Sequence, residues 1–446
     1  MVAGSIVLAL GLGVFAAAQP QMAQLALLCM IWAVVLALVA SRAGLAGAGG
    51  LILWAGFGLR IALAIVLHLM APAGAGAGAW AWASDAAAYD RQALKVVGFL
   101  HEGDYQSLLS QPQLAYSYVV AAFYAVLGSE PLFPISFNIF VSSLSIILIF
   151  SLARQFATRR SRQLEATALM ALWPSMVLFS TQMMKDPMVI FLWLAFFSSA
   201  FALLRRPGLN HAVTLAVSIV LLTVFRVYLG LAALAAFGLL AGATALRDWR
   251  RLGAAAGGLA GCGAGLNALG YGWFGWKFVA RNLALQRLQA FREAAYAKGT
   301  AALDVGVAIT TPADALAYLP LGTAYVLLAP FPWQWFIGSG LIQKLNAPEM
   351  IVWYAWVIPT ALLGFAALAR RGDPRGWLAL LAIGIALPPM ALTVANIGAI
   401  YRLRLPFQAI LFAIAASRGG QAVQSGGPEA GARAAVTGAG PQLGGE

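Results

Sequence analysis

The chain has 446 residues, of which 62% are hydrophobic and only 10% are charged. Its mean hydropathy of +0.83 excludes an ordinary soluble domain, and its long continuous apolar runs exclude the alternating pattern of a membrane β-barrel. The net charge of +13 lies mostly in short loops. Because positive charge in such loops sets membrane orientation, we expect no nucleic-acid partner.

Apolar stretches recur along the chain, and a helix needs about 20 mostly apolar residues to cross a membrane. The pattern predicts an all-α, polytopic transmembrane domain over residues 1–418, with about 12 spans. The predicted spans are 4–18, 22–41, 50–71, 133–154, 164–183, 187–204, 211–225, 227–246, 252–270, 350–370, 376–395 and 404–417. Residues 419–446, rich in Gly and Ala, predict a disordered cytoplasmic tail.

Basic clusters between these spans predict the orientation of the chain. They occur at 154–162, 205–206, 247–251 and 370–375. The positive-inside rule places all four in the cytoplasm if the stretches 115–127 and 318–336 lie at the membrane interface instead of crossing it. Both termini are then cytoplasmic. The longer outward loops are 72–113, 271–317 and 338–349, and the turns at Lys185-Asp186, Arg226 and Tyr401-Arg402 face the same way.

The first outward loop carries candidate catalytic carboxylates. Asp85 and Tyr89 are four residues apart, so a helix there places both on one face. A carboxylate at a membrane surface can act as a general base toward a hydroxyl acceptor. The structural alternative is a helix N-cap, because Ser84-Asp85 precedes an alanine run. Asp90 belongs to the same candidate acceptor loop.

Further along that loop stands His101-Glu102-Gly103-Asp104. Glu102 and Asp104 could join a carboxylate cluster that holds a divalent cation through oxygen ligands. The alternative, which we favour, is a polar turn at the glycine. The sequence therefore establishes no cofactor and leaves metal dependence open.

Cationic residues lie at three predicted outward turns. Lys185 and Asp186 stand at an abrupt reversal before Pro187, where Lys185 suits a phosphate and Asp186 also suits a helix N-terminus. Arg226 occupies another such turn. Arg402 and Arg404 break the positive-inside trend, which indicates an anionic partner such as a lipid-linked phosphate. Snorkelling at the interface is the structural alternative.

Two further basic features have structural interpretations. Arg60 lies in the middle of a predicted span and must face the bundle interior, although the sequence does not identify its partner. The basic stretch 277–298 predicts an interfacial helix on anionic membrane lipids. The chain has no Walker loop and no dinucleotide fingerprint.

The order of these features resembles the C-type (GT-C) membrane glycosyltransferases, which include protein mannosyltransferases and aminoarabinose transferases. The resemblance covers roughly residues 50–210, and more loosely 401–406. It rests on the Ser84–Tyr89 loop, the apolar stretch Tyr116–Gly128, and Ala171–Ser180 leading into Lys185-Asp186-Pro187. Two apolar segments precede the one that resembles the first span of the family.

The resemblance implies a GT-C-like fold and a site on the outer face of a bacterial inner (plasma) membrane. The enzyme would move a sugar from a polyprenyl-phosphate-linked donor to an envelope glycan, lipid or protein acceptor. Asp85 and Asp186 would be the catalytic residues. Lys185, Arg402 and Arg404 would face the donor phosphate. Arg226, at its own outward turn, is a further candidate for binding the phosphate.

Two other classes of function stay open at this point. A lipid-linked polysaccharide polymerase or ligase would use the same donor with a polymeric acceptor, and the basic stretch 277–298 is compatible with it. A non-enzymatic transporter or flippase is the other class. Transporters often have related halves and broken helices at mid-membrane; this sequence has no recognisable halves.

Overall fold

The computed structural model describes residues 20–70, 84–109, 115–205, 208–245, 249–277, 285–296, 303–304, 306–335, 348–394 and 396–418. Within these ranges the chain is helical and has no strand, which confirms the all-α prediction. By length and composition, seven described helices could cross a membrane. The predicted span 4–18, the tail 419–446 and most of the loop 338–349 lie outside the described residues.

In chain order the helices are α1 (Pro20–Arg42), α2 (Ala48–Leu69), α3 (Ser84–Glu102), α4 (Tyr105–Leu109), α5 (Ala115–Leu127), α6 (Leu132–Phe156), α7 (Arg160–Leu172), α8 (Pro174–Ser180), α9 (Asp186–Arg205), α10 (Leu209–Phe225), α11 (Val227–Ala245), α12 (Trp249–Ala268), α13 (Leu285–Tyr296), α14 (Pro312–Leu328), α15 (Pro348–Arg370), α16 (Pro374–Thr393) and α17 (Ile397–Ala415). The seven long apolar ones are α1 (from Ala23), α2, α6, α9, α15, α16 and α17. The outward loops predicted at 72–113 and 271–317 thus contain α3, α4, α13 and the start of α14.

The predicted span 164–183 is wrong as a single helix. The chain leaves helical geometry at Trp173, whose φ and ψ are −62° and 120°, and α8 begins at Pro174. Proline has no N–H for a helical hydrogen bond, and its ring disfavours helical geometry in the residue before it. The segment is therefore two short helices with a break between them.

Arg60 is fully buried in α2 and binds the end of α7 at this break. Its guanidinium donates to the carbonyl oxygens of Ala171 (2.6 Å) and Met170 (3.3 Å). Its Nε donates to Ser142 Oγ at 3.1 Å. The last carbonyls of a helix have no partner within the helix, so Arg60 satisfies acceptors that the break would otherwise leave unpaired. These are the partners that the sequence did not identify.

Basic turns meet at one end of the bundle, here called the basic end and formed by residues 43–47, 157–159, 371–373 and 416–418. Arg154 Nη1 donates to the Ala43 carbonyl at 2.8 Å. Arg375 reaches the Gln155 carbonyl at 2.9 Å, and Arg418 pairs with Glu165 at 2.6 Å. Predicted cytoplasmic clusters from distant parts of the sequence thus lie side by side.

The opposite end, here called the site end, is formed by residues 128–131, 181–185, Arg226 and Asn396. Helix α5 lies across this end. Near its start, the Tyr116 hydroxyl accepts from Asn138 Nδ2 at 2.8 Å, and Asn138 also binds the carbonyl of Met184. Just past its end, Glu130 is 4.0 Å from His68 at the end of α2. Both ends of α5 are therefore at the site end, so α5 does not run to the basic end.

Helix α14 enters the bundle from the site end and stops part-way. Near its start, Tyr318 stacks with Arg292, which binds the carbonyl of Leu392 close to Asn396. At its end, the Leu327 carbonyl accepts from Arg404. Arg404 is eight positions into α17 from Asn396, which is about 12 Å of helix. The stretch 318–336 thus begins as a helix that penetrates only part of the bundle.

Two predictions need correction, one on the start of the last span and one on the basic stretch 277–298. The last span begins at Ile397 instead of residue 404, because the Asn396 side chain accepts from Gly398 N and caps the helix. Arg402 is consequently a helical residue and does not lie in a turn. In the basic stretch 277–298, Lys277 and Arg287 are exposed, but Arg292 is fully buried against Tyr318. Arg292 is thus a packing residue of α13.

Candidate functional site

Arg402 joins two carboxylates that are far apart in the sequence. Its Nη1 is 2.6 Å from Asp85 Oδ2, and its Nε is 3.3 Å from Asp186 Oδ2. The two acids lie in the first turns of α3 and α9, and Arg402 lies in the second turn of α17. Three helices therefore deliver these side chains to the site end. The Asp85 side chain is 51% exposed, whereas that of Asp186 is 2% exposed.

Asp186 also pairs with Arg226, which lies in the break between α10 and α11. The Arg226 side chain is buried, and its Nη1 donates to the hydroxyl of Tyr228 at 3.3 Å. Asp186 has a local reason to stand where it does, since it opens α9 and Pro187 takes the first-turn position. Because two guanidinium groups neutralise Asp186, it is a poor proton acceptor.

Lys185 stands next to this arrangement and is half-buried. Burial, followed by the nearby positive charge of Arg226, lowers the pKa of its ammonium to about 8. No hydrogen bond or ion pair joins the side-chain ammonium of Lys185 to another residue of the described ranges. Its ammonium is thus available to a ligand, and its charge is sensitive to pH near neutrality.

The cluster of Asp85, Lys185, Asp186, Arg226 and Arg402 carries three positive and two negative charges when all five are ionised. One positive charge is left over. In addition, the buried Nε of Arg226 has no hydrogen-bond partner among the described residues. An anion is the ligand that such a surplus of cationic donors favours.

Tyr89 and Asp90 lie beside the cluster but face the packing of α3 against α5. Tyr89 is buried, and its ring meets that of Tyr116 edge to face at 5.0 Å. Burial, and after it the charge of Asp186, raises the pKa of the Tyr89 hydroxyl. Asp90 accepts from the Tyr124 hydroxyl at 2.6 Å. Asp90 therefore fastens α3 to α5.

The structure does not bring Glu102 and Asp104 to the cluster. Glu102 ends α3, about 25 Å along the helix from Asp85. Asp104 accepts from Ser107 N at 3.0 Å and caps α4. This contact agrees with the interpretation of the segment as a polar turn. Hydrogen bonds from Ser107 lower the pKa of Asp104. Among the described residues, no group of three His, Cys, Asp or Glu side chains could hold a metal ion.

Arg404 also lies apart from the cluster. Two positions along a helix turn the side chain by about 200°, so Arg404 points away from the direction of Arg402. It is fully buried. Its Nη1 donates to the Ala329 carbonyl at 2.7 Å, and its Nη2 is 4.0 Å from Glu349. Arg404 holds the end of α14 and does not lie where it would share a phosphate with Arg402.

Two residues that support the site were missed by sequence reasoning. Asn138 donates to the carbonyls of Gln182 and Met184, both at 2.9 Å, and so shapes the turn that carries Lys185. Glu349 accepts from Ser175 N at 2.9 Å and caps α8, which leads into the same turn. Each is an isolated polar residue at or inside an apolar run, and this pattern could have identified both from the sequence.

Comparison of the sequence and the structure with protein-family models, curated proteins and solved structures finds no match.

Proposed function

We propose that this chain is a membrane-embedded glycosyltransferase that takes its sugar from a polyprenyl-phosphate-linked donor. The observation that carries the proposal is the position of Arg402, whose guanidinium bridges Asp85 and Asp186. Lys185 and Arg226 complete a site with surplus positive charge. A phosphate at the head of a membrane-bound lipid has the charge and the location that this site favours.

In the proposed reaction the acceptor hydroxyl attacks the anomeric carbon of the donor sugar. The new bond joins the acceptor oxygen to that carbon, while the bond from the carbon to the phosphate oxygen breaks. The electron pair of the broken bond leaves with the polyprenyl phosphate. The proton of the acceptor hydroxyl passes to the carboxylate of Asp85 and from there to solvent.

Asp85 is the better choice for the base because half of its side chain is exposed and can reach an acceptor. Asp186 is buried between Arg226 and Arg402, and we assign it the task of holding both guanidinium groups in place. Arg402, Arg226 and Lys185 then stabilise the charge that develops on the leaving phosphate. No step of this scheme uses Glu102, Asp104 or a metal ion.

The sugar acceptor is an envelope glycan, lipid or protein, and we place the site on the outer face of a bacterial inner membrane. This placement follows from the basic end being cytoplasmic under the positive-inside rule. A polysaccharide polymerase or ligase would use the same donor site with a longer acceptor, so it is a variant of the proposal.

The helix break at Trp173 bears on the transporter alternative. In transporters, the ends of broken helices bind the cargo. Here Arg60 occupies the end of α7, and Glu349 occupies the start of α8. Since the protein's own side chains fill both positions, we favour an enzyme over a transporter or flippase.

The proposal can be tested with the purified chain in proteoliposomes. The substrates would be radiolabelled sugars on polyprenyl phosphate, and the products would be free polyprenyl phosphate and labelled acceptor. Mass analysis of envelope glycans and lipid-linked sugars in a deletion strain would identify the acceptor. Accumulation of an unused lipid-linked sugar is expected. Uptake of cargo into the vesicles without turnover would instead support a transporter.

A further inference from the structure

Five buried polar atoms on the Arg404 side of α17 have no hydrogen-bond partner among the described residues. They are Tyr401 Oη, Arg404 Nε, Trp173 Nε1 and both amide atoms of Gln408. The exposed fraction of each of these four side chains is 3% or less. Buried polar groups in proteins are nearly always hydrogen-bonded. Five unpaired atoms in one region therefore point to a partner that is not a protein group.

The three residues on α17 share one face of the helix. Tyr401, Arg404 and Gln408 are separated by three and four positions, which places them above one another. The Arg404 guanidinium lies 5.5 Å from the centre of the Tyr401 ring. Their unpaired atoms thus follow one line inside the bundle.

The rings of Trp353 and Trp173 pack against this face of α17. The ring of Trp353 lies 5.4 Å from the Arg404 guanidinium and 6.5 Å from the ring of Trp173. Trp173 in turn packs at 5.1 Å on Phe412, which is one helical turn beyond Gln408. Gln408 lies between Arg404 and Phe412 on the same face of α17. Gln408 thus stands between the residue that contacts the Trp353 ring and the residue that contacts the Trp173 ring.

This region differs from the charged cluster in its composition and in its direction. Arg402 is part of the cluster, whereas Arg404 points to another side of the same helix. The nearest acid is Glu349, whose Oε1 is 4.0 Å from Arg404 and accepts from Ser175 Oγ. The Trp173 indole N–H lies beside the Glu349 carboxylate without reaching hydrogen-bonding geometry.

We propose that ordered water occupies this region and forms a buried hydration site between Trp173, Tyr401, Arg404 and Gln408. The unpaired atoms include donors (the indole, guanidinium and amide N–H groups) and acceptors (the amide oxygen and the Tyr401 hydroxyl). Water both donates and accepts, whereas an anion only accepts and an ammonium ion only donates. A buried water makes about 3 hydrogen bonds, so about two molecules satisfy five atoms. This site is independent of the proposed transfer reaction.

Radiolytic hydroxyl-radical footprinting of the purified protein tests this inference without any sugar donor. Bound water near a buried side chain generates radicals in place, so that side chain is oxidised although solvent does not reach it. We expect fast oxidation of Trp173 in the unsubstituted protein. Met170 is the control, because it is also fully buried and lies three residues away. Its oxidation measures the general penetration of radicals.

The variants Gln408→Leu and Tyr401→Phe complete the test. Leu replaces the amide by an apolar group and is expected to expel the water, so that oxidation of Trp173 falls several-fold while that of Met170 stays constant. Tyr401→Phe removes only one hydroxyl and is the variant to use if Gln408→Leu does not fold. Oxidation of Trp173 as slow as that of Met170 in the unsubstituted protein would overturn the inference. Equal oxidation of Trp173 in the protein and both folded variants would overturn it as well.

Discussion

Arg60 and Glu349 bind the two sides of one helix break. Arg60 donates to the carbonyls at the end of α7, and Glu349 accepts from Ser175 N at the start of α8. The carboxyl end of a helix carries partial negative charge and the amino end carries partial positive charge. Arg60 is basic and Glu349 is acidic, so each side chain suits the helix end that it binds. Both buried side chains are satisfied here mainly by backbone groups and hydroxyls.

We expect Arg60→Met to lower the free energy of unfolding by about 3 kcal/mol, because the carbonyls of Met170 and Ala171 lose their buried donors. Arg60→Lys retains the charge but cannot reach several acceptors at once. Its free energy of unfolding should therefore lie between that of Arg60→Met and that of the unsubstituted protein. Thermal unfolding in detergent measures the order. Equal stability of Arg60→Met and the unsubstituted protein would contradict the assignment of Arg60 to the break.

Asp85→Asn is expected to abolish sugar transfer while the chain still folds and inserts. Asn has nearly the same shape but does not accept the proton of the acceptor hydroxyl. Turnover of a polyprenyl-phosphate-linked sugar by the purified variant is the measurement, with its elution from a sizing column as the control for folding. Full activity of Asp85→Asn would remove Asp85 as the base.

Arg402→Lys should recover only part of the turnover that Arg402→Ala loses. The guanidinium reaches Asp85 and Asp186 with different nitrogens, whereas an ammonium is a single point charge. If Arg402 merely snorkels to the interface, Lys should substitute fully.

Arg404→Lys is the matched control for this experiment, because it is the same substitution on the same helix, outside the cluster. We expect it to lower thermal stability, since Arg404 binds Ala329 and Leu327 in the bundle interior. The turnover of the folded protein should stay unchanged. A loss of turnover as large as that in Arg402→Lys would show that Arg404 belongs to the phosphate site.

Donor binding should weaken as the pH rises through about 8, the pKa of Lys185. Above that pH the folded protein loses the Lys185 charge, whereas the unfolded chain keeps it up to the ordinary lysine pKa. The unfolded state then binds more protons, so stability rises with pH over this interval while phosphate affinity falls. Titrating polyprenyl phosphate at pH 7 and pH 9 measures the change.

Lys185→Arg should retain its affinity at pH 9, because a guanidinium stays charged there. An equal fall in affinity in Lys185→Arg and in the unsubstituted protein would show that another group titrates.

The orientation of the bundle can be tested by cysteine labelling in spheroplasts. Cysteine at position 185, at the site end, should react with a membrane-impermeant thiol reagent, whereas cysteine at position 160, at the basic end, should not. The native residues Cys29 and Cys262 are buried and contribute little background. The reverse labelling pattern would invert the proposed topology.

Local patterns were sufficient for much of the site. Asp85 and Asp186 stand out because charge is costly near hydrocarbon, and each also lies in the first turn of a helix. Arg402 stands out because it breaks the charge asymmetry between loops. Pairing could not be inferred in this way. Arg402 lies more than 200 positions from Asp186 and more than 300 from Asp85, and one sequence contains no information on which distant turns meet.

The amino-acid sequence by itself determined that this is a helical membrane protein, which residues are polar within apolar runs, and which turns are basic. These properties depend on composition and on neighbours along the chain, so they can be read locally. Only the tertiary structure decided that Arg404 turns away from Arg402 and that Arg60 and Glu349 bind one helix break. The physical reason is that a buried charge is stabilised by whichever acceptors and donors packing brings to it, and packing joins helices that are distant in the sequence.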